Sequence, residues 1–299
     1  MYRLGTLSLG TAPTAATYDA RRDLVEILRE LGYVEGQNLR VERRFALGRA
    51  ERLPALAADL VQRNVDVIVA FGTDAVRAAR NATKTIPIVI LIAGPDPVAT
   101  GLAASLARTG GNLTGVVLGA MLADKRLALL KEAVPSSKTI AMLFTGESVG
   151  HAQVREARQT AALLGVRLVA VELEGRDYEK AFQTMRRERA EALFVGASPT
   201  LYVDRHRIIA LAARYRLPAI YQFPEHVEEG GLMAYGMSGR WAYRRVAVYV
   251  DRVLKGANPA ELPVEQTTTV TLALNLKTAK ALGLTIPQSV LLRADQVIE

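Results

Sequence analysis

From its first residues the chain alternates short apolar runs rich in β-branched residues with longer segments whose apolar positions recur at helical spacing. Residues 2–8 read as a strand. In the helix predicted over 18–31, Leu24, Ile27, Leu28 and Leu31 share one face, and Gly32 stands where a C-cap belongs. The spacing then predicts a strand over 39–45, a helix over 53–62, a strand over 65–71, a helix over 74–81 and a strand over 86–92. Runs such as Val67-Ile68-Val69-Ala70 show no polar alternation, as central strands covered by helices on both faces require. The fold class is therefore α/β, built from βαβ units on parallel sheets.

After Gly115-Val116-Val117-Leu118 the pattern begins again. Helices over 124–133, 152–164, 177–187 and 202–215 alternate with strands over 139–144, 167–173, 192–195 and 219–221. Cores of this size divide, so the repetition predicts two Rossmann-like lobes with a cleft between them rather than one large sheet. The remaining residues hold a helix over 239–254, a turn marked by Gly256, Asn258, Pro259 and Pro263, a β-like run over 267–274 and a short helix over 276–282. One helix does not make a third domain. The tail is expected to cross back and supply an element to each lobe, which makes a multi-strand hinge. The expected division is 1–117 plus about 239–268 for the N-terminal lobe and 118–238 plus about 269–299 for the C-terminal lobe.

Composition narrows the function classes. The 299 residues are 50% hydrophobic and 23% charged, which excludes a disordered or collagen-like chain. There is no cysteine, so thiol catalysis, thiolate zinc sites, iron–sulfur clusters and disulfides are all excluded. The formal charge of +8 raises the question of a nucleic-acid partner. However, Arg21, Arg22, Arg29, Arg155, Arg158, Arg186, Arg187, Arg189, Arg205, Arg207, Arg214 and Arg216 are spread over predicted helix surfaces, mostly beside acidic residues. No nucleic-acid partner is expected. No run reaches the ~20 apolar residues of a membrane span. Arg3 and the strand-like residues after it do not form a signal peptide, so the expectation is either a cytoplasmic protein or a leader already removed.

In open parallel sheets, ligands sit beyond the carboxyl ends of the strands. The segments there are Ser8-Leu9-Gly10-Thr11-Ala12, Phe71-Gly72-Thr73-Asp74, Ala93-Gly94-Pro95-Asp96-Pro97, Phe144-Thr145-Gly146-Glu147-Ser148, Val195-Gly196-Ala197-Ser198-Pro199 and Tyr221-Gln222-Phe223-Pro224. Small, hydroxylic and aromatic residues suit binding better than catalysis. Glycines let backbone amides approach a ligand, hydroxyls and helix N-termini hold a carboxylate, and aromatic rings form walls. Asp74 reads as a first-turn helix residue. Asp96, between two prolines, is presented by a rigid loop and is expected to meet a ligand ammonium group. There is no G-x-S-x-G, Walker A or G-x-G-x-x-G pattern. His151, His206 and His226 lack metal-ligand spacing and are expected to face solvent or cap helices, and Glu228-Glu229 reads as a solvated loop. No catalytic residue, metal site or cofactor is expected.

Several segments resemble a known family. Leu31-Gly32-Tyr33-Val34-Glu35-Gly36-Gln37-Asn38, Gly94-Pro95-Asp96-Pro97-Val98, Gly110-Gly111-Asn112-Leu113-Thr114-Gly115, Pro218-Ala219-Ile220-Tyr221, Gly230-Gly231-Leu232-Met233-Ala234-Tyr235-Gly236 and Leu274-Asn275-Leu276-Lys277-Thr278-Ala279 are similar to the ABC-transporter substrate-binding proteins of the tryptophan/tyrosine-binding type. The likeness spans nearly the whole chain, with the motifs in the family's order. It implies a type I periplasmic-binding-protein fold that closes by hinge motion on a small solute, an amino acid with an aromatic or branched aliphatic side chain. It further implies delivery to a membrane permease with a cytoplasmic ATPase, an extracytoplasmic lipoprotein location, and a monomer without enzymatic activity. By position, the ligand-binding residues are Ser8, Thr11, Gly72, Thr73 and Asp96 in the first lobe and Thr145, Ser198, Tyr221, Gln222, Phe223 and Tyr235 in the second. The chain departs from the family at Thr145-Gly146-Glu147-Ser148 and at Met237-Ser238, both in the second lobe. Two other readings use the same architecture: a cytoplasmic ligand-sensing module, which suits the absent leader, and a hydrolase or transferase, for which no catalytic constellation stands in the sequence.

Overall fold

Strands without polar alternation have to be covered on both faces, and the chain meets this with two sheets, each inside its own unit. The computed structural model describes residues 1–10, 20–93, 101, 105, 111–119, 122–267 and 269–299. In chain order the first elements are β1 (Tyr2–Ser8), α1 (Ala20–Glu30), β2 (Leu39–Phe45), α2 (Leu53–Gln62), β3 (Val67–Phe71), α3 (Thr73–Ala82), β4 (Ile88–Ala93) and β5 (Leu113–Leu118). There follow α4 (Ala123–Ala133), β6 (Thr139–Phe144), α5 (Ser148–Leu163), β7 (Arg167–Glu172), α6 (Tyr178–Arg187), β8 (Ala192–Val195), α7 (Pro199–Val203), α8 (Arg205–Arg214), β9 (Ala219–Tyr221), α9 (Glu225–Glu228) and β10 (Met233–Gly236). The tail holds α10 (Gly239–Leu254), β11 (Val264–Thr267), β12 (Thr271–Asn275), α11 (Leu276–Leu282), α12 (Gln288–Leu291) and β13 (Gln296–Ile298). One compact unit comprises Met1–Ala120 with Arg240–Thr268, the other Met121–Gly239 with Thr269–Glu299.

The first unit is a six-stranded sheet in the order β11-β5-β4-β3-β1-β2, with every pairing parallel. Leu7, Ile68, Ala70, Ile90 and Val117 form one covered face with Leu53, Ala57 and Leu60 of α2 and Val76 and Ala79 of α3. On α10, Tyr243 sets its ring 5.8 Å from Phe71, and Asp251 accepts a 2.9 Å hydrogen bond from the Tyr33 hydroxyl. Each fully buried Leu, Ile or Val on such faces contributes roughly 1.5–3 kcal/mol.

The second unit is a seven-stranded sheet in the order β13-β12-β10-β9-β8-β6-β7. Its strands β6 to β10 are parallel, but β12 pairs with β10 antiparallel and carries β13 parallel to itself. The expected parallel sheets are found, with the β10–β12 pairing running the other way. The reversed pair comes from the tail, which enters this unit after leaving the other. The β-like run expected over 267–274 corresponds to β12, and β11, which meets that run only at Thr267, is an additional strand. Val264–Thr267 pairs with β5 in the first unit, and Thr271–Asn275 pairs with β10 in the second.

The single helix expected over 202–215 is also two. It breaks at Asp204 (φ −91°, ψ 15°), whose carboxylate is taken by Arg176 at 2.6 and 2.8 Å and by the Tyr178 hydroxyl at 2.7 Å. Two short strands escape the pattern altogether. Met233–Gly236 is flanked by glycines, and Gln296–Ile298 is too short to show a period.

Gly115, in β5, has φ +135°, and a Cβ there would lie 2.4 Å from the Ile90 carbonyl oxygen and 2.5 Å from its nitrogen. Gly115→Ala must push β4 and β5 apart, at an expected cost on the order of 3 kcal/mol or more. Gly165→Ala, at φ +65° with nothing within 4 Å, should cost only about 1 kcal/mol. Urea denaturation followed by far-ultraviolet circular dichroism measures both, and equal losses would show that the β4–β5 approach is not what requires glycine at 115.

Candidate functional site

The carboxyl ends of the parallel strands collect the polar residues that the strand interiors exclude. In the first unit, Ser8 ends β1 and is buried, and its Oγ accepts the Gly10 N–H at 3.1 Å, so the hydroxyl serves a turn. Gly72 (φ +86°, ψ 157°) donates its N–H to the Leu91 carbonyl at 2.9 Å and turns the chain directly into α3. Thr73 is the first residue of that helix and is buried. Asp74 lies in its first turn, where a carboxylate complements the helix dipole. Thr11 and Asp96 lie outside the described residues. Thr6, two residues before Ser8 on β1, is buried with its hydroxyl unpartnered.

In the second unit the order β9-β8-β6 sets the ends of β6 and β9 on either side of β8, roughly 10 Å apart across two strand spacings. Thr145 follows β6 and Gln222 follows β9; both are buried, and Thr145 Oγ1 and Gln222 Oε1 have no hydrogen-bond partner. Between them runs the β8 exit, Val195-Gly196-Ala197-Ser198. A Cβ on Gly196 would stand 2.9 Å from the Leu143 carbonyl oxygen, so at this position the exit presents backbone alone. Ser198 is buried, and its Oγ accepts the Leu201 N–H at 3.1 Å as the N-cap of α7. Phe223 sets its ring edge-on to Tyr202 at 4.8 Å. Sequence reasoning placed Tyr221 and Tyr235 with this group, but their rings go elsewhere. The Tyr221 ring turns into the core beside Ala219, Leu217 and Ile209. That of Tyr235 packs on the opposite core cluster and lines a recess with Lys125, Glu132 and Arg293.

The β8 exit is held from beneath by a cation and an amide that sequence reasoning missed. Arg126 on α4 is fully buried, stacks over the Phe194 ring at 4.5 Å, and donates from Nη1 to the Val195 carbonyl at 3.0 Å and from Nη2 to Gln153 Oε1 at 3.1 Å. Burial pulls its guanidinium down to about 9, which leaves it charged at neutral pH. Gln153 on α5 accepts the Ala197 N–H at 2.8 Å and donates to the Ala197 carbonyl at 3.0 Å. Both backbone groups of Ala197 are thereby fixed. The signal was available: Arg126 falls at helical spacing among Ala123, Leu127 and Leu130, an apolar face that a surface arginine would avoid.

Packing fixes one carboxylate that the sequence did not single out and corrects the expectations for Arg205, Glu229 and His226. Glu225, in α9, is buried and accepts the Ser238 hydroxyl at 2.6 Å and the Gly239 N–H at 3.3 Å, which ties the β9 and β10 exits together. Arg205, expected on a helix surface, is buried and forms a two-point pair with Glu229 at 2.8 and 3.0 Å, so Glu229 is not part of a solvated loop. His226, expected to face solvent or cap a helix, is buried with its ring stacked on Tyr221 at 4.7 Å and its Nδ1 3.0 Å from the Phe223 carbonyl. That distance makes Nδ1 the protonated nitrogen of a neutral ring. Among the described residues no group of His, Asp and Glu could hold a metal ion, and no helix is long and apolar enough to cross a membrane.

Burial pulls the His226 imidazole down to about 3 from its ordinary 6.5. Below pH 6.5 the unfolded chain therefore binds a proton that the folded chain refuses, and stability falls as the pH falls through the window from 6.5 to 3. Wild type should lose about 1.4 kcal/mol more than His226→Asn between pH 7.5 and 5.5 in urea denaturation. Identical losses in the two proteins would mean that the folded chain accommodates an imidazolium.

The comparisons with known proteins agree with one another. The profile of the family described as ABC transporter substrate binding protein matches residues 13–298. A curated relative, the tyrosine-binding protein of Clostridioides difficile (strain R20291), is 28% identical over 275 residues, covering 89% of this chain and 76% of that protein. Among solved structures, a conserved domain protein from Vibrio cholerae is 27% identical with a TM-score of 0.77, covering 99% of both chains. The ABC domain from Streptococcus pneumonia, in complex with L-Trp, is 25% identical with a TM-score of 0.75, again covering 99% of both chains.

Proposed function

Because the chain belongs to the ABC transporter substrate binding protein family and carries the type I periplasmic-binding-protein fold, we propose that it is the extracytoplasmic receptor of an importer for an aromatic amino acid. Solute binding, not catalysis, is what the family does. The observation that carries the reading is the pair of buried, unpartnered acceptors, Thr145 Oγ1 and Gln222 Oε1, at the carboxyl ends of β6 and β9. A buried polar atom without a partner costs about 1–3 kcal/mol, a cost that a bound solute's N–H groups would relieve. The aromatic class is supported by the tyrosine-binding relative and the neighbour in complex with L-Trp. A branched aliphatic side chain is the next candidate.

In the first unit, the groups proposed to meet the solute are Ser8, Thr11, Gly72 and Thr73 for its carboxylate and Asp96 for its ammonium. In the second, they are Thr145, Gln222, Phe223 and the β8 exit at Ser198. A membrane permease with a cytoplasmic ATPase would take the solute onward, and a lipid anchor would keep the receptor at the membrane surface.

Two measurements test this reading. L-Tyrosine or L-tryptophan at a hundredfold excess over Kd should stabilise the folded chain by about 2.7 kcal/mol in thermal unfolding, and Asp96→Ala should abolish the shift. An unchanged Tm with every amino acid would overturn the solute class, and full binding by Asp96→Ala would remove the ammonium assignment. Thr145→Val exchanges an unsatisfied hydroxyl for a methyl group, so it should raise stability by about 1 kcal/mol while weakening solute binding roughly tenfold in calorimetry. A variant that gains stability and binds as wild type does would take Thr145 out of the site.

A further inference from the structure

A cavity of about 280 Å³ opens between α8 and α11 of the second unit, and of the strand-end residues discussed above it includes Tyr221 alone. Ile209, Leu217 and Leu282 form much of its wall, with alanine methyl groups filling in between. Arg216 and Lys277 line it as well; both are exposed, and neither has an ion-pair partner among the described residues. The Tyr221 side chain is 1% exposed, yet its hydroxyl makes no hydrogen bond to any described residue. Burial alone pushes this phenol up, so it remains a proton donor. Gly231 makes room for the ring: a Cβ there would stand 2.8 Å from Tyr221 Cε2. The neighbouring hydroxyl, Thr278 Oγ1, is already committed to the Gly230 carbonyl at 2.9 Å.

The cavity opens to solvent, so the Tyr221 hydroxyl, which no described residue engages, is available to an incoming molecule, and the mostly carbon walls favour an apolar body over water. An occupant that satisfies the surroundings brings a flat apolar body for the walls, a negative charge for Arg216 and Lys277, and an oxygen for the Tyr221 hydroxyl. The volume lies at the small end of ligand sites. We propose that the cavity between α8 and α11 is a second small-molecule site, specific for a small aryl carboxylate that bears a hydroxyl group.

The proposal does not depend on the identity of the transported solute, and its test keeps the two apart. 4-Hydroxybenzoate, benzoate and phenol are titrated at millimolar concentration into the whole protein by saturation-transfer NMR, with and without saturating L-tryptophan. 4-Hydroxybenzoate should bind roughly fivefold more tightly than benzoate, and Tyr221→Phe should erase that difference. Lys277→Glu should weaken both carboxylates roughly fivefold and leave phenol unaffected. Ala213→Phe, at an exposed helix position that lines the cavity, should abolish binding without unfolding the chain. The proposal is overturned by an absence of binding, by binding that survives Ala213→Phe, by phenol binding as tightly as the carboxylates, or by displacement with L-tryptophan. It is overturned equally if 4-hydroxybenzoate keeps its advantage in a folded Tyr221→Phe protein.

Discussion

Parallel strands covered on both faces leave a protein little room for polar chemistry except at their ends. Along β3 and β8 every residue is buried, and hydrogen bonding between strands satisfies the backbone there. At the strand exits that pairing stops, and each carbonyl and amide has to find a partner of another kind. The second unit answers in two opposite ways along one edge. At the β8 exit, Gln153 saturates both backbone groups of Ala197 while Arg126 takes the Val195 carbonyl. Next to it, on β6 and β9, the acceptors of Thr145 and Gln222 are left open. A fixed floor beside unsatisfied acceptors is the arrangement of a preorganised binding surface, where stability is given up locally so that a ligand can restore it.

The clamp also shows why a buried cation is tolerated. Its guanidinium has a carbonyl, an amide oxygen and an aromatic face around it, and the carboxylates of Glu156 and Asp124 favour its charge from farther off. Replacing such a cation with a hydrocarbon would take the Nη1 donor from the Val195 carbonyl and leave Gln153 Oε1 with the Ala197 N–H alone, so the penalty would fall on the strand exit rather than on α4. The half-buried pairs Arg205–Glu229 and Arg176–Asp204 hold their charges with direct carboxylate partners. Part of the net charge of +8 thus belongs to internal scaffolding rather than to an electrostatic surface.

Much of this was readable from the chain. Strands such as β1, β2 and β6 and the helices α2 and α11 end where hydrophobic period, proline and glycine say they should. What escaped did so for tertiary reasons. The strand Val264–Thr267 is short and polar after its first residue, and only its pairing with β5 sets it apart from Thr271–Asn275, which joins the other sheet. The break at Asp204 depends on Arg176 and Tyr178, which lie far back in the sequence. Strand-end positions could be located from the α/β pattern, but not which side chains were already taken. Ser8 and Ser198 have the same chemistry as Thr145, yet they are engaged in a turn and a helix cap. Likewise, Tyr221 follows the strand alternation into the core, and only its neighbours Gly231 and His226 show where the ring goes.

The first unit's sheet is completed by β11, which pairs with β5 but is separated from it by the whole of the second unit's main segment. During synthesis the chain emerges from its N-terminus, so β5, with its sequence Leu-Thr-Gly-Val-Val-Leu, stays an open sheet edge until residue 267 is free. An apolar edge strand left unpaired is a template for intermolecular association. The order of the chain therefore sets an obligatory interval in which this protein is vulnerable to aggregation, however stable the finished fold, and in which a holding chaperone has a defined strand to shield.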